Sequence, residues 1–341
     1  MIQLSDFLNI KNSTRALSDT DFESILPDLA QQLSEVDYTI QHSPETLRDD
    51  WVRLQKWDAQ GKRNINSKNR IGIKLCEHFF PGIYSVSDAA GKTFHDLWKD
   101  HKLLQKVLKW NRKGHSTPYL SELKRGVYFC GGLVKTTMYR PQLAKMVTLN
   151  HETILDPCAG WGGRLLGTVA NGNHYVGFEP NTQVFEALNS MVDFLDIREQ
   201  TTLICDDALN LIKYELPKIA MVLTSPPYFN LEKYTDEPSQ SICGRETYEQ
   251  WYHEFLEPVI QLCLSRLDCR GLSCWNVSNI GKYKLQDHVQ KSHTKYGYHK
   301  IREYNAVSSP GHAGVKVKGN KKKTTDSTIV FEKIKGYSKI V

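Results

Sequence analysis

The sequence predicts an α/β fold with a mostly parallel sheet, an antiparallel hairpin at the sheet edge and a helical module before it. Two observations predict this fold. Residues 153–280 alternate short apolar runs of β type with helical patterns, which is typical of parallel strands joined by helical crossovers. Residues 1–120 carry apolar side chains at helical spacing instead. We therefore expect a helical module at 1–120 and an α/β domain at 121–341.

The N-terminal helices are predicted from apolar periodicity and from capping residues. Apolar residues recur at helical spacing over 22–33, but Pro27 interrupts the pattern, so we expect two short helices or a kink there. Ser43 is a good N-cap and Pro44 suits a first helical turn, which predicts a helix start at this point. A further amphipathic helix is expected over Leu103–Trp110.

The α/β region is predicted as five strands and three helices followed by a hairpin. Each strand is a short apolar run, and each helix has a helical pattern. The expected strands are 153–155, 174–178, 201–205, 219–223 and 272–277. The expected helices are 163–169, 180–195 and 248–267, and residues 298–304 and 328–333 are expected to pair as the edge hairpin.

Charge is distributed unevenly along the chain. Residues 51–150 carry 19 basic and 6 acidic side chains, and residues 301–341 carry 9 and 3, whereas residues 151–300 carry 13 and 19. A polyanion bound by both basic zones would lie across the acidic region between them, although lysine and arginine also commonly solvate exposed helix faces. The nucleic-acid contacts that we expect are Lys62, Arg63, Lys68, Arg70, Arg112, Lys113, Lys321, Lys322 and Lys323.

Several classes of protein are disfavoured by the composition. No apolar run reaches the roughly 18 residues that span a bilayer, and the first residues lack the basic and apolar regions of a signal peptide, so we expect a cytoplasmic protein. The eight cysteines form no C-x-x-C pair, so neither a zinc site nor a redox motif is expected. The oligomeric state is left open, with a monomer preferred.

A glycine-rich turn, Asp156-Pro157-Cys158-Ala159-Gly160-Trp161-Gly162-Gly163, predicts the cofactor half of a site. Glycine tolerates positive φ and lets the backbone approach a ligand closely. Glu179 ends the next strand, where a carboxylate can accept hydrogen bonds from both ribose hydroxyls, and Asp206, with Asp207 as the alternative, can accept from an adenine amino group. The turn lacks the G-x-G-x-x-G spacing, and Asp156 would repel a pyrophosphate. We therefore expect S-adenosylmethionine rather than NAD, with its cationic methionine end near Asp156.

The stretch Ser225-Pro226-Pro227-Tyr228 predicts the chemical half of the site. It follows the fourth strand, so it reaches the carboxyl edge of the sheet, where α/β proteins bind their ligands. Two prolines lock the backbone and remove two amide donors, which leaves carbonyl acceptors directed at the pocket. The Ser225 oxygen and the Pro226 carbonyl can hold the two N–H groups of an exocyclic base amine, and Tyr228 or Phe229 can stack on the base. Such positioning needs no covalent enzyme intermediate.

These motifs resemble those of the S-adenosylmethionine-dependent DNA amino-methyltransferases of bacteria and phages, which methylate cytosine N4 or adenine N6. The resemblance covers roughly residues 138–280 and includes Tyr139-Arg140-Pro141, similar to the family's aromatic-Arg-Pro segment at the methionine end of the cofactor. It implies a Rossmann-like methyltransferase fold and duplex DNA with a flipped base as the partner. The cofactor contacts that it implies are Tyr139, Arg140, Pro141, Asp156, Cys158, Gly160, Trp161, Gly162, Glu179, Asp206 and Asp207.

The substrate is specified less sharply than the chemistry. Ser225 stands where adenine enzymes of the family usually carry Asp or Asn, which favours cytosine N4 and leaves adenine N6 as the alternative. RNA base methyltransferases have similar Pro-Pro-Tyr loops, and a non-catalytic nucleic-acid-binding protein of the same fold is a further alternative. The resemblance would suit a restriction-modification enzyme. The first 120 residues match no recognition module, so no target sequence is predicted.

Overall fold

The computed structural model describes residues 3–114, 117–133, 136–235, 237–308 and 323–336, with side chains left undescribed at 308 and 323–326. The chain forms two compact units. The first comprises Met1–Ile40, Pro81–Thr137 and Asn230–Thr235, and the second comprises Gln41–Phe80, Met138–Phe229 and Asp236–Val341. Segment 41–80, which the sequence analysis placed in the N-terminal module, is therefore grouped with the second unit.

The described residues contain twelve α-helices. They are α1 (Asp19–Ser34), α2 (Pro44–Lys56), α3 (Ile73–Phe79), α4 (Phe94–Lys99), α5 (His101–Gly114), α6 (Leu120–Gly131), α7 (Pro141–Val147), α8 (Gly163–Val169), α9 (Thr182–Leu195), α10 (Tyr248–Trp251), α11 (Glu257–Arg266) and α12 (Leu285–Lys295). Short 3-10 helices cover Leu4–Asp6, Pro81–Ser85, Arg198–Gln200, Ala208–Lys213 and Phe229–Leu231. No helix in these ranges is long and apolar enough to cross a membrane.

The strands of the described chain form a single eight-stranded sheet in the second unit. They are β1 (Asn64–Asn66), β2 (Thr153–Asp156), β3 (His174–Phe178), β4 (Thr201–Ile204), β5 (Ile219–Thr224), β6 (Leu267–Asn276), β7 (Tyr298–Ser308) and β8 (Lys323–Lys333). Their order is β1-β7-β8-β6-β5-β2-β3-β4. Every pair is parallel except the two that β8 makes with β6 and β7. Apart from the short edge strand β1, this order, with one antiparallel strand inserted beside β6, is that of the Rossmann-like methyltransferase fold.

In the first unit, α1 runs unbroken through Pro27, so of the two alternatives expected there, two short helices or a kink, the two short helices were wrong. Ser18 caps its start by accepting a hydrogen bond from the Asp21 amide. Phe22 and Leu26 on its inner face are each 1% exposed. A proline inside a helix costs about 3 kcal/mol, whereas each fully buried Leu or Phe contributes about 1.5–3 kcal/mol. The buried face therefore outweighs the lost hydrogen bond.

Most predicted elements of the α/β region are confirmed. Helix α8 and strand β3 have the predicted bounds, and α2 begins at Pro44 with Ser43 as its cap. The hairpin is confirmed as β7 and β8, which extend beyond the predicted segments. The hairpin lies at this edge of the sheet as predicted, and the three-residue strand β1 pairs in parallel with the outer side of β7. The sequence pattern missed β1, since only one of its three residues is buried.

The predicted helix 248–267 is present as three consecutive helical segments. A π-helical turn, Tyr252–Leu256, separates α10 from α11. Pro258 lies in the first turn of α11 and has no N–H to donate to the preceding turn, which favours a local change of hydrogen-bond pattern. Tyr252 and Leu256 inside the π turn are both buried. The hydrogen-bond pattern therefore changes locally while the apolar face of the helical run stays in the core.

Alternating side chains of the central strands form two apolar layers. Val222, Trp275 and Phe331 belong to the layer covered by the 248–266 helical run and α12. Met221 and Leu223 point to the opposite face, where α7 packs. The alternation follows from the two-residue period of a strand. Both faces of β5 are thus buried, and its carboxyl end leads directly into the 225–228 stretch.

Candidate active site

Four predicted polar groups lie at the carboxyl ends of neighbouring parallel strands. Asp156 is the last residue of β2, Glu179 directly follows β3, Asp206 lies two residues after β4, and Ser225 directly follows β5. These strands are adjacent in the order β5-β2-β3-β4. Carboxyl ends of parallel strands share one edge, where α/β proteins bind ligands. The structure therefore brings the two predicted halves of the site to the same edge.

Asp156 is fully buried and its carboxylate is saturated by protein donors. Oδ2 accepts from Arg164 Nε at 2.6 Å and from the Tyr175 hydroxyl at 2.8 Å. Oδ1 accepts from the Thr224 hydroxyl at 2.8 Å and from the Cys158 amide at 3.2 Å. The expected position of a cationic ligand near this carboxylate stays a prediction. Within the protein, the counter-charge of Asp156 is Arg164, and the hydrogen bonds of Asp156 tie the glycine turn to the ends of β2 and β5.

Arg164 is a site residue that the sequence analysis missed. Its side chain is 7% exposed and donates to the Cys158 carbonyl and, at 3.3 Å, to the Ala159 carbonyl as well as to Asp156. Its guanidinium lies 5.4 Å from the centre of the Tyr139 ring, within cation–π range. A buried arginine needs this many acceptors because its charge cannot be removed by titration. An arginine directly after the paired glycines was the available signal.

The glycine turn packs against the segment that precedes α7. Gly162 has φ 73° and caps α8. A Cβ on Gly163 would lie 1.9 Å from the Tyr139 carbonyl oxygen, and one on Gly167 would lie 2.2 Å from that of Pro141. No side chain fits at such distances, so α8 can approach this backbone only with glycine at both positions. Tyr139 is thereby held against the glycine turn and Pro141 against α8.

The remaining predicted residues around the turn are partly exposed. Arg140 donates from Nη1 to the Asn69 carbonyl at 3.2 Å. Trp161 packs edge-on to Phe80, with ring centres 6.1 Å apart. Cys158 is also partly exposed, and burial raises the pKa of its thiol. The side chains of these three residues border the turn and make no hydrogen bond to Asp156. Only the backbone amide of Cys158 does so.

Glu179 joins the end of β3 to the glycine turn. Its Oε2 accepts from the Gly160 amide at 2.8 Å, and its Oε1 accepts from the Asn181 amide at 3.0 Å. The residue is 8% exposed, and burial raises the pKa of its carboxyl to about 7 although both amides act in the opposite direction. Gly160 has φ 57°, which glycine tolerates readily. Each carboxylate oxygen keeps further capacity to accept a hydrogen bond.

Asp206 and Asp207 have different roles. Asp206 accepts from the Asn210 side chain at 2.7 Å, from the Tyr214 hydroxyl at 2.8 Å and from the Asp207 amide at 2.7 Å. Burial raises the pKa of Asp206, but these three hydrogen bonds outweigh it and hold the pKa below its usual value. Asp207 accepts from the Leu209 amide at 2.9 Å and caps a 3-10 helix. Asp206 is therefore the stronger ligand candidate.

The 225–228 stretch is anchored by a residue of the neighbouring strand. The Ser225 hydroxyl donates to Asn276 Oδ1 at 3.4 Å, and Asn276 Nδ2 donates to the Ser327 carbonyl at 2.9 Å. Asn276 also approaches the Thr328 hydroxyl at 3.5 Å, which in turn lies 2.7 Å from the Tyr139 hydroxyl. A polar chain thus connects the Tyr139 segment with Ser225. Sequence reasoning missed Asn276, although an asparagine ending an apolar strand was a usable signal.

The two aromatic residues after the prolines differ in exposure. Phe229 is 4% exposed, with φ 51°, and its ring contacts Tyr248, Trp251 and Tyr283. Its ring is committed to the core, which does not fit the stacking role that the sequence suggested. Tyr228 is partly buried and packs at the border of that same core. Tyr228 is therefore the candidate for contact with a base.

Several cations predicted to bind nucleic acid are paired within the protein. In the first unit, Arg112 donates to the Leu17 carbonyl at 2.8 Å and forms an ion pair with Asp19 at 3.0 Å. In the second unit, Lys62 lies 3.4 Å from Asp58. Arg112 thus has a structural role in joining α5 to the start of α1.

The other predicted cations fall into three groups. Arg70 forms an ion pair with Glu77. Arg63, Lys68 and Lys113 are exposed. Lys321 and Lys322 lie outside the described residues, and Lys323 is described only as the first residue of β8.

Comparison with known proteins gives structural likeness only. No protein-family model matches the chain, and no curated protein matches it in sequence. A SAM-dependent O-methyltransferase from Thermotoga maritima is similar at 12% identity over 60% of this chain and 69% of that chain, with a TM-score of 0.41. TrmN from Thermus thermophilus is similar at 14% identity over 57% of this chain and 49% of that chain, with a TM-score of 0.39. An rRNA methylase from Streptococcus thermophilus is similar at 16% identity over 58% of this chain and 99% of that chain, with a TM-score of 0.34. The fold itself is established by the strand order.

Proposed function

We propose that the chain is an S-adenosylmethionine-dependent methyltransferase that acts on an exocyclic amine of a nucleic-acid base, with cytosine N4 in DNA as the target. The observation that carries this proposal is the hydrogen bond from the Ser225 hydroxyl to Asn276 Oδ1. With its proton turned towards Asn276 Oδ1, the Ser225 oxygen would present lone pairs and could act as an acceptor. An acceptor at this position suits the N–H group of an amine.

The cofactor half is supported by acidic groups at the shared strand edge. Glu179 would accept from ribose hydroxyls and Asp206 from an adenine amino group, because both carboxylates keep acceptor capacity beyond their present partners. Such a set suits a ligand that is rich in hydroxyls and carries a cation, and it disfavours a pyrophosphate. When bound, S-adenosylmethionine supplies an electrophilic methyl group. Asp156 would act indirectly, by fixing the turn.

The amine half is supported by the 225–228 stretch. The Ser225 oxygen and the Pro226 carbonyl would accept the two N–H groups of the amine, which turns its lone pair away from the base ring and makes it a better nucleophile. Tyr228 would hold the base by stacking. Asn276 would position Ser225, since it is itself held by the Ser327 carbonyl at 2.9 Å.

Duplex DNA as a substrate requires that the target base leave the helix stack. Flipping a base costs a few kcal/mol, which phosphate contacts and stacking in the pocket can offset. The exposed side chains of Arg63 and Lys68 in the second unit and Lys113 in the first are available for such contacts. Serine at position 225, rather than an acidic residue or asparagine, favours the cytosine amine.

The proposal is tested by following a labelled methyl group. The purified full chain is incubated with labelled S-adenosylmethionine and either DNA or RNA of mixed sequence, and the products are digested to nucleosides and identified by mass. We expect N4-methylcytosine from DNA. If DNA yields N6-methyladenine, the target base is adenine and not cytosine. If label enters only RNA, the substrate is RNA and not DNA. Cofactor binding without any transfer would overturn the enzymatic proposal in favour of a non-catalytic nucleic-acid binder.

A matched pair of variants tests the role of Ser225. Ser225→Ala removes the acceptor, and we expect turnover to fall by about tenfold to a hundredfold, as for loss of one hydrogen bond to a reacting group. Ser190→Ala, on the exposed surface of α9, is the control and should retain wild-type turnover. Equal turnover of the two variants would contradict the assignment of Ser225.

A further inference from the structure

A cavity lies in the second unit, away from the carboxyl edge of the sheet. Its volume is about 440 Å³, which falls within the range of about 300–1,000 Å³ that is usual for small-molecule sites. Its apolar lining includes Met221 of β5, Leu272 of β6 and Val330 of β8, together with Met146 and Val147 at the end of α7. The cavity therefore lies on the face of the sheet that α7 covers.

The position of these residues along their strands separates the cavity from the candidate active site. Met221 precedes Thr224 by three residues and Leu272 precedes Asn276 by four, which at about 3.3 Å per residue corresponds to roughly 10–13 Å. Leu223 and Cys274 occupy the intervening positions, and both are 0% exposed. A filled apolar layer therefore divides the two sites.

The polar lining of this cavity is cationic. Lys62, Arg63 and Arg302 line it, and no aspartate or glutamate does. Lys62 is paired with Asp58 at 3.4 Å. Arg302 is partly buried, and within the described part of the chain its side chain makes no hydrogen bond or ion pair. A half-buried guanidinium with five donors and no acceptor among the described residues is suited to a bidentate anion such as phosphate.

Groups able to contact a planar heterocycle share the lining with these cations. Gln60 and Asn150 offer side-chain amides, which both donate and accept hydrogen bonds. Tyr304 of β7 supplies an aromatic ring beside the apolar floor. Amide side chains recognise base edges and aromatic rings stack on base faces. The cavity thus combines a cationic wall, an apolar floor and base-reading groups.

We propose that this cavity is a nucleotide-binding site distinct from the active site. Arg302 and Arg63 would bind the phosphate, and the base would lie on the apolar floor within reach of Gln60, Asn150 and Tyr304. The ligand is a nucleoside monophosphate unit, which could come from a free nucleotide or from the phosphorylated end of a nucleic-acid strand. The proposal does not depend on the methyl-transfer reaction.

The test is calorimetric titration of the full chain with each of the four nucleoside 5′-monophosphates and with inorganic phosphate. We expect one saturable site for at least one nucleotide, with inorganic phosphate binding more weakly. Arg302→Gln and Arg63→Ala should each weaken nucleotide binding by about tenfold or more, since each removes a charged hydrogen bond. Lys56→Ala, which removes an exposed lysine outside the cavity lining, should leave the affinity unchanged. Thermal unfolding checks that each variant is folded, and Arg63, being exposed, keeps the test open if Arg302→Gln does not fold.

Two competition experiments complete the test. Excess S-adenosylhomocysteine should not displace the nucleotide, whereas displacement would place the binding at the glycine turn and overturn the proposal. A 5′-phosphorylated oligonucleotide that competes better than its dephosphorylated form identifies a strand end as the source, and competition by free nucleotide alone identifies the free ligand. Absence of saturable binding, equal binding of inorganic phosphate, or equal weakening by Lys56→Ala would each overturn the proposal.

Discussion

The buried carboxyl of Glu179 gives the protein a measurable pH dependence. Burial raises its pKa from the usual 4.5 to about 7, because the charged form is poorly solvated at 8% exposure, and the two backbone amides only reduce this effect. At a pH between the two pKa values, Glu179 keeps its proton in the folded protein but has lost it in the unfolded chain. Protonation of Glu179 therefore stabilises the folded state over that range.

The sign and size of the effect follow from that difference in pKa. The folded-state pKa lies above the unfolded one, so the stabilisation is fully present below about pH 4.5 and is lost as the pH rises through about 7. At about 1.4 kcal/mol for each pH unit, the loss is about 3 kcal/mol. The free energy of unfolding of the unliganded chain should therefore decline by this amount, apart from the contributions of other groups.

Substitution of Glu179 separates its contribution from those of other titrating groups. Glu179→Gln cannot ionise, but its amide nitrogen would face one of the two backbone donors at Gly160 and Asn181, and the loss of that hydrogen bond lowers stability by an amount that does not change with pH. The informative quantity is therefore the difference in free energy of unfolding between Glu179→Gln and wild type, followed as the pH changes. Urea denaturation from about pH 4.5 to about pH 8 measures it. Glu186→Gln, at an exposed position on α9, is the matched control.

We expect the stability difference between Glu179→Gln and wild type to narrow by about 3 kcal/mol as the pH rises, and the difference for Glu186→Gln to stay constant. A constant difference for Glu179→Gln would refute the reasoning. It would mean that the two amide hydrogen bonds cancel the effect of burial, so that the carboxyl is ionised throughout this range.

Three further predictions concern the turn and the catalytic stretch. Arg164→Met leaves Asp156 buried without its cation and should lower the free energy of unfolding by about 3–5 kcal/mol in urea denaturation. The control Arg198→Met breaks an exposed ion pair and should lower it by less than about 1 kcal/mol. Equal losses would contradict the structural importance of the buried Arg164–Asp156 pair. Gly167→Ala should lower the free energy of unfolding by about 1–3 kcal/mol or more, because its Cβ would lie 2.2 Å from a backbone oxygen. The control Gly82→Ala, whose Cβ would have nothing within 4 Å, should change it by no more than about 0.5 kcal/mol. Tyr228→Ala should strongly reduce turnover while calorimetric affinity for S-adenosylhomocysteine stays near normal, and equal loss of both would mean that Tyr228 contacts the cofactor.

Much of the fold could be predicted because its signals are local. The two-residue period of the strands, the helical spacing after each one and the glycines between β2 and α8 depend on neighbouring residues only. The same local signals put Glu179 and Ser225 directly after strands, which is where the structure has them. By contrast, the sequence pattern left two short helices and one kinked helix open at Pro27, because the packing of the inner face of α1, which keeps the helix continuous, is a tertiary effect.

The sequence by itself determined the order of the motifs and their attachment to strand ends, since strand periodicity and turn residues act over a few positions. Only the tertiary structure decided which partners these motifs have. Asn276 reaches Ser225 across 51 residues, Thr224 reaches Asp156 across 68, and β1 joins β7 although its own pattern is weak. Such pairings depend on which strands become neighbours and on how buried charges find counter-charges. The packing of the whole sheet decides these pairings, and local sequence patterns do not predict them.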